Sequence, residues 1–184
     1  MYKIKKKIKI LLIEDNPADA RLVEEYLKLG KIFKSDLIWA KNLREGIDQI
    51  KFLNNGLDII LCDLSLPDTS DHMYTINKII KNARSIPIII LTGLDNDNIA
   101  LDAVKKGAED FIIKNNISYS NLSKTILHAV DRFRFKKELE KKVKKKTEEL
   151  ENTVKLLKEA KNVAEAANRS KSDFLARFSH ELRT

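Results

Sequence analysis

Five short apolar runs recur along the first 115 residues, each followed by a stretch with helical spacing, and no feature constrains the fold more. The runs are "IKILLIE", "DLIWA", "DIILCDL", "IPIIILT" and "EDFIIK". Three are almost unbroken Ile and Leu, the pattern of strands covered on both faces. Between them, Ala20, Val23 and Leu27 share one helical face, with Gly30 supplying the stop. Leu43, Ile47, Ile50 and Leu53 share another, and Ile99, Ala103 and Val104 a third, with Gly107 as its cap. Strands alternating with helices predict βαβ units, right-handed crossovers and a five-stranded parallel sheet of the α/β class. Ligands of such sheets bind outside the carboxyl ends of the strands.

Composition narrows the class. The chain has 184 residues, room for one domain and a smaller addition, and a hydrophobic content of 43% supports one core. A single cysteine excludes an intramolecular disulfide and fits a reducing compartment. The apolar run near the N-terminus is too short, and interrupted by Lys9, for a signal peptide or membrane span. A cytoplasmic protein without a membrane span is expected.

The polar residues at the strand ends carry the chemistry. Glu14 and Asp15 end the first strand and Asp63 the third, strands expected to be neighbours. Three convergent carboxylates repel one another and raise at least one pKa unless a cation joins them. Magnesium suits such a pocket, taking few protein oxygens and leaving room for water and phosphate. Thr92 ends the fourth strand and Lys114 the fifth, adding a hydroxyl donor and a positive charge suited to phosphate oxygens. An Asp beside Mg²⁺, Lys and Thr is equipped to attack phosphorus.

Residues 8 to about 132 resemble the receiver domain of two-component response regulators. The resemblance implies a flavodoxin-like doubly wound fold. It implies that "LLIEDN" contributes the metal-binding acids Glu14 and Asp15, and "ILCDLSLPD" the phosphoacceptor Asp63. Ser65 would lend its backbone carbonyl to the metal. In "ILTG" and "EDFIIKN", Thr92 would be the switch hydroxyl, Phe111 the switch aromatic and Lys114 the phosphate-binding lysine. The sequence departs from the family pattern twice. Asn115 follows the lysine where proline is common, and Asp71-His72 stand where a glycine is usual.

From Tyr119 onward helix formers dominate, and no Pro or Gly occurs after Gly107. Val143, Thr147, Leu150, Val154, Leu157, Lys161, Ala164, Asn168, Lys171, Leu175, Phe178 and Leu182 alternate by four and three, a heptad seam with polar interruptions. Leu139 stands one residue out of phase. A helix from Tyr119 to Thr184 would run roughly 100 Å at about 1.5 Å per residue. The seam is expected to bury itself in a parallel homodimer. Residues 134–171 hold thirteen Lys/Arg against seven Glu, about +6 of the chain's +8. Lys and Glu are interleaved and aromatics are not, which favours a solvated face over a nucleic-acid surface.

The final stretch, "KSDFLARFSHELRT", resembles the phosphoacceptor helix of histidine kinases, implying a phosphoacceptor His180 assisted by Glu181. Glycines at 30, 46, 56, 93 and 107 form no phosphate cradle, so this chain contains no ATP-binding domain of its own. The expected organisation is a receiver over 1–132, a coiled-coil signalling helix over 133–171 and, over 172–184, the start of a kinase phosphoacceptor helix cut short. The expected function is phosphorelay signalling, with a histidine kinase or phosphotransfer protein as phosphodonor. The alternative is a stand-alone regulator whose basic helix binds nucleic acid or a partner protein. An aspartate phosphatase would need a second Asp at Ser65, and a flavodoxin a Ser/Thr/Gly-rich loop in place of "EDNPAD".

Overall fold

The computed structural model describes residues 7–53, 56–83, 85–93 and 97–181, with the backbone alone at 97, 176 and 178–181. The elements run β1 (Lys7–Ile13), α1 (Pro17–Leu29), β2 (Lys34–Ala40), α2 (Leu43–Leu53), β3 (Ile59–Asp63), α3 (His72–Asn82), β4 (Ile88–Thr92), α4 (Asp97–Lys106) and β5 (Asp110–Ile113). A 3₁₀ turn over Lys114–Asn116 leads to α5 (Tyr119–Glu181). The strands are all parallel in the order β2-β1-β3-β4-β5, so the expected doubly wound, flavodoxin-like sheet is present.

The period-two alternation of a strand divides each apolar run between two cores. Leu11 and Ile13 of β1 point into a cluster with Ile50, Ile76, Ile79 and Ala103 from α2, α3 and α4. Ile10 and Leu12 point the other way, toward Val23 and Leu27 of α1 and Leu122, Ile126 and Ala129 of α5. Every residue of β3 and β4 is buried, as the unbroken Ile/Leu runs required.

The two glycine stops work differently. Gly107 closes α4 with φ of 122°, the left-handed region that favours glycine. Gly30 closes α1 with φ of −73°, so conformation does not demand it. Proximity does: a Cβ there would lie 2.0 Å from Ser123 Oγ and 3.3 Å from the Tyr119 carbonyl. Gly30 is therefore the place where α5 crosses close to α1. At the start of α3, Asp71 takes the N-cap and accepts from Tyr74 N at 2.7 Å.

The chain divides into two compact units, Met1–Phe135 and Lys136–Thr184. In the first, the start of α5 buries Leu122, Ile126, Ala129 and Val130 against the sheet. In the second, every described side chain from Glu138 onward is exposed, including Leu139, Val143, Leu150, Val154, Leu157 and Leu175 of the seam and its flank. The side chains of Phe178, His180 and Glu181, and all of Leu182, lie outside the described residues.

Candidate functional site

The site forms where the carboxyl ends of β1, β3 and β5 meet. Register pairs Ile13 of β1 with Cys62 of β3, so the next residues, Glu14 and Asp63, face each other across neighbouring strands. Glu14 follows the last β1 residue but stays on the ladder, donating its N–H to the Ala40 carbonyl at 3.0 Å. Ligand atoms of Glu14, Asp15 and Asp63 lie within 4.8 Å of one another. Glu14 and Asp63 are buried and Asp15 is exposed, which leaves the cluster one open side.

Lys114 is the charge that holds these acids together. It lies one residue past β5, opening the 3₁₀ turn rather than ending the strand. Its Nζ sits 2.8 Å from Glu14 Oε2, 3.2 Å from Asp63 Oδ2 and 3.0 Å from Asp19 Oδ2. The ammonium is held firmly in its charged form. Burial, the largest influence, opposes the charge, but Glu14, Asp63 and Asp19 together outweigh it. Glu14 behaves differently. Burial pushes its carboxyl up to about 7, Lys114 working against the rise and the charge of Asp63 adding to it. One ammonium shared among three carboxylates therefore leaves the most buried acid undersatisfied. Glu14 Oε2 has the ion pair with Lys114 but no partner in hydrogen-bonding geometry among the described residues. An undersatisfied buried carboxylate oxygen beside two further carboxylates fits a hard, oxygen-seeking cation.

Asp63 has one oxygen anchored and one engaged. Oδ1 accepts from Leu64 N at 2.8 Å, while Oδ2 faces Lys114. Thr92, at the end of β4, is buried, and its Oγ1 donates to the Gly93 carbonyl at 3.4 Å, a long bond. Phe111 of β5 is half-buried and packs against the core on the α2–α4 side of the sheet. Ser65 is exposed, its Oγ 3.4 Å from Nε2 of His72. Glu14, Asp15, Asp63 and Lys114 are thus brought together, and Thr92 and Phe111 stand on the adjoining strands. The backbone of His180 and Glu181 belongs to α5.

Three contributors escaped the sequence reading. Asp19 reaches Lys114 from the first turn of α1, and only its position four residues after Asp15 hinted at it. Asp68 of "LPD" accepts from Leu43 N and Arg44 N, both at 2.9 Å, capping α2 from the loop that follows Asp63. Trp39 donates from Nε1 to the Glu14 carbonyl at 2.7 Å. No local pattern signals either of the last two, because each bond spans about 25 residues of chain.

The family described as response regulator receiver domain matches residues 10–127. The regulatory protein VanR of Enterococcus faecium is 35% identical over 106 residues, covering 58% of this chain and 43% of VanR. The hybrid signal transduction histidine kinase D of Dictyostelium discoideum is 26% identical over 190 residues, covering 95% of this chain and 12% of that protein. The chain thus spans less than half the length of either relative. Among solved structures, a response regulator receiver domain protein from Clostridium thermocellum superposes with a TM-score of 0.61 at 25% identity, covering 70% of this chain and 98% of the other. No helix among the described residues is long and apolar enough to cross a membrane. The sheet order, the acid cluster at its carboxyl edge and the span of the match agree: this chain belongs to the response regulator receiver domain family.

Proposed function

We propose that the chain is a phosphorelay receiver whose phosphoacceptor is Asp63. The observation that carries this reading is Lys114, which touches Asp63 and Glu14 at one edge of the acidic cluster. Glu14 and Asp15, the carboxylate of Asp63 and the backbone carbonyl of Ser65 would hold Mg²⁺. When bound, the ion supplies positive charge to the oxygens of an incoming phosphoryl group. A carboxylate oxygen of Asp63 forms a new P–O bond as the donor's P–N or P–O bond breaks. The leaving group takes its proton from solvent.

Lys114 then pairs with the new phosphoryl oxygens in place of carboxylate oxygens, a charge-assisted contact. Thr92 gives up little to turn toward them, since its bond to Gly93 is already stretched. Phe111, partly exposed on β5, is free to repack against the core it already touches. These roles make Thr92 and Phe111 the switch. A histidine kinase or phosphotransfer protein is the phosphodonor.

The readout runs through α5. Receiver residues 1–132 would bias a coiled-coil helix, 133–171, that leads to the phosphoacceptor motif at His180 and Glu181 in 172–184. Two observations support this. The described seam residues of α5 are exposed in a single chain, as a parallel dimer requires. The alignment with a hybrid histidine kinase extends across 95% of the chain, well beyond the receiver.

The test is labelling with a small phosphodonor and Mg²⁺. One acid-labile phosphoryl group per chain is expected, lost in Asp63→Asn. Labelling that survives Asp63→Asn refutes the assignment. Sedimentation of residues 1–184 against 1–135 tests the dimer: the long form should associate at tens of micromolar and the short form should not.

A further inference from the structure

Glu14 is heavily restrained within the candidate site, and one of its restraints is a side chain from outside the acidic cluster. Three of its polar atoms are hydrogen-bonded and the fourth is ion-paired. Its N–H donates to the Ala40 carbonyl at 3.0 Å and its Oε1 accepts from Asn16 N at 3.2 Å. Its Oε2 faces Lys114 at 2.8 Å. Its carbonyl accepts from the indole Nε1 of Trp39 at 2.7 Å, short for an N–H···O bond. We propose that Trp39 is a positioning residue for the cation site, fixing through this bond the peptide unit that joins Glu14 to Asp15.

The covalent geometry gives the bond its leverage. The Glu14 carbonyl and the Asp15 N–H belong to one planar peptide unit, so holding the oxygen fixes the rotation of the whole plane. Asp15 lies immediately after that plane, past the end of β1, and its side chain is exposed. The direction of the Asp15 carboxylate therefore depends on the orientation of the peptide before it. Without the indole, the carbonyl would turn to water and the plane would gain freedom at the point where two cluster acids must converge.

Trp39 is placed for this role rather than for packing. It sits on the edge strand β2, opposite Leu12, and remains 40% exposed, far more than a core tryptophan. Its ring lines an open groove of about 470 Å³ with Pro17, Ala20 and Leu37. Lys41 Nζ lies 5.6 Å from the ring centroid, a cation–π contact that holds the ring from a second side. The ring is thus held in place at the surface with its one polar atom turned inward.

This inference rests on the Mg²⁺ reading given above, and the experiment separates the two. The chain has one tryptophan, so its indole N–H gives a single, assignable NMR signal. That signal is expected to be protected from exchange and to shift when Mg²⁺ saturates the protein. Calorimetric Mg²⁺ titration of Trp39→Phe is expected to show about five- to tenfold weaker binding, the worth of one hydrogen bond. Replacing Trp39 by benzothienylalanine, which keeps the bicyclic shape but has sulfur in place of N–H, should weaken binding equally. Replacement by 7-azatryptophan, which keeps the N–H, should restore it. Mg²⁺ binding that is unchanged in both Trp39→Phe and the benzothienyl protein overturns the role of Trp39 alone. Failure of the unsubstituted protein to bind Mg²⁺ overturns the metal reading and this inference with it.

Discussion

Replacing Lys114 by Met removes the one cation among four side chains and tests the electrostatics of the pocket directly. With both acids ionised, the variant leaves Glu14 and Asp63, both buried, facing each other with no counter-charge. Breaking a buried ion pair commonly costs about 3–5 kcal/mol. Asp19 is over a third exposed and contributes little, and Lys114 is itself partly exposed, so about 2–4 kcal/mol is expected here. The loss has a ceiling, because Glu14 can take a proton. Its folded pKa is already raised from 4.5 to about 7, so folding favours the protonated acid. Glu14 therefore costs nothing below about 4.5, and its cost grows as pH rises toward 7, levelling near 3 kcal/mol above that. Losing Lys114 raises the pKa further and extends that window upward. Thermal unfolding should show Lys114→Met strongly destabilised at pH 8 and much less so at pH 5.5.

Mg²⁺ should reverse the deficit. With the ammonium gone the pocket is more negative by one charge, so the divalent ion binds more tightly and raises the melting temperature more than in the unsubstituted protein. Equal destabilisation at both pH values, with no added response to Mg²⁺, would refute the reasoning. It would mean that Lys114 contributes through packing and not as a counter-charge.

Other perturbations read single contacts. Gly30→Ala places a methyl group 2.0 Å from Ser123 Oγ and should cost about 1–3 kcal/mol in urea unfolding; adding Ser123→Ala should recover part of it. Asp68→Ala removes the acceptor for two N–H groups at the start of α2 and should cost about 1–2 kcal/mol, with Asp68→Asn milder. Asp19→Asn frees one contact of Lys114 without emptying the pocket, so phosphorylation of Asp63 should persist while the Mg²⁺ affinity falls no more than a few-fold in calorimetry. Binding to duplex DNA by the full chain should be weak at physiological salt, since Lys142, Lys144, Lys145, Lys146 and Lys161 already pair with glutamates along α5; tight, steeply salt-dependent binding in a filter assay would favour a nucleic-acid role.

What was legible in the sequence followed from periodicity, and what was hidden followed from distance along the chain. Runs such as "IIIL" in β4 fit strands covered on both faces, so the parallel sheet and its ligand-binding edge were accessible from pattern, while its doubly wound order came only with the family resemblance. Asp63 ends β3 while Glu14 and Lys114 follow β1 and β5 by one residue, and all three were recognisable because topology brings those strand ends together. Gly30 shows where local reasoning stops. It reads as a helix stop on conformational grounds, yet its φ of −73° suits any residue, and its cause is Ser123, 93 positions later. Trp39 and Asp68 are the same case: an apolar strand residue and a loop acid whose work is a hydrogen bond to a distant backbone group. Pattern reports which face a residue lies on, not which atom it meets. The acids of the cluster are therefore visible to sequence reasoning, while the residues that hold them in register become visible only once the strands are side by side. The seam of α5 presents the converse problem, since its pattern is plain while the surface it would bury against in the proposed dimer lies outside the single chain. Its apolar stripe, interrupted by Lys161, Asn168 and Lys171, would yield a weak interface, and weakness is what a receiver needs if 1–3 kcal/mol of coupling is to shift it.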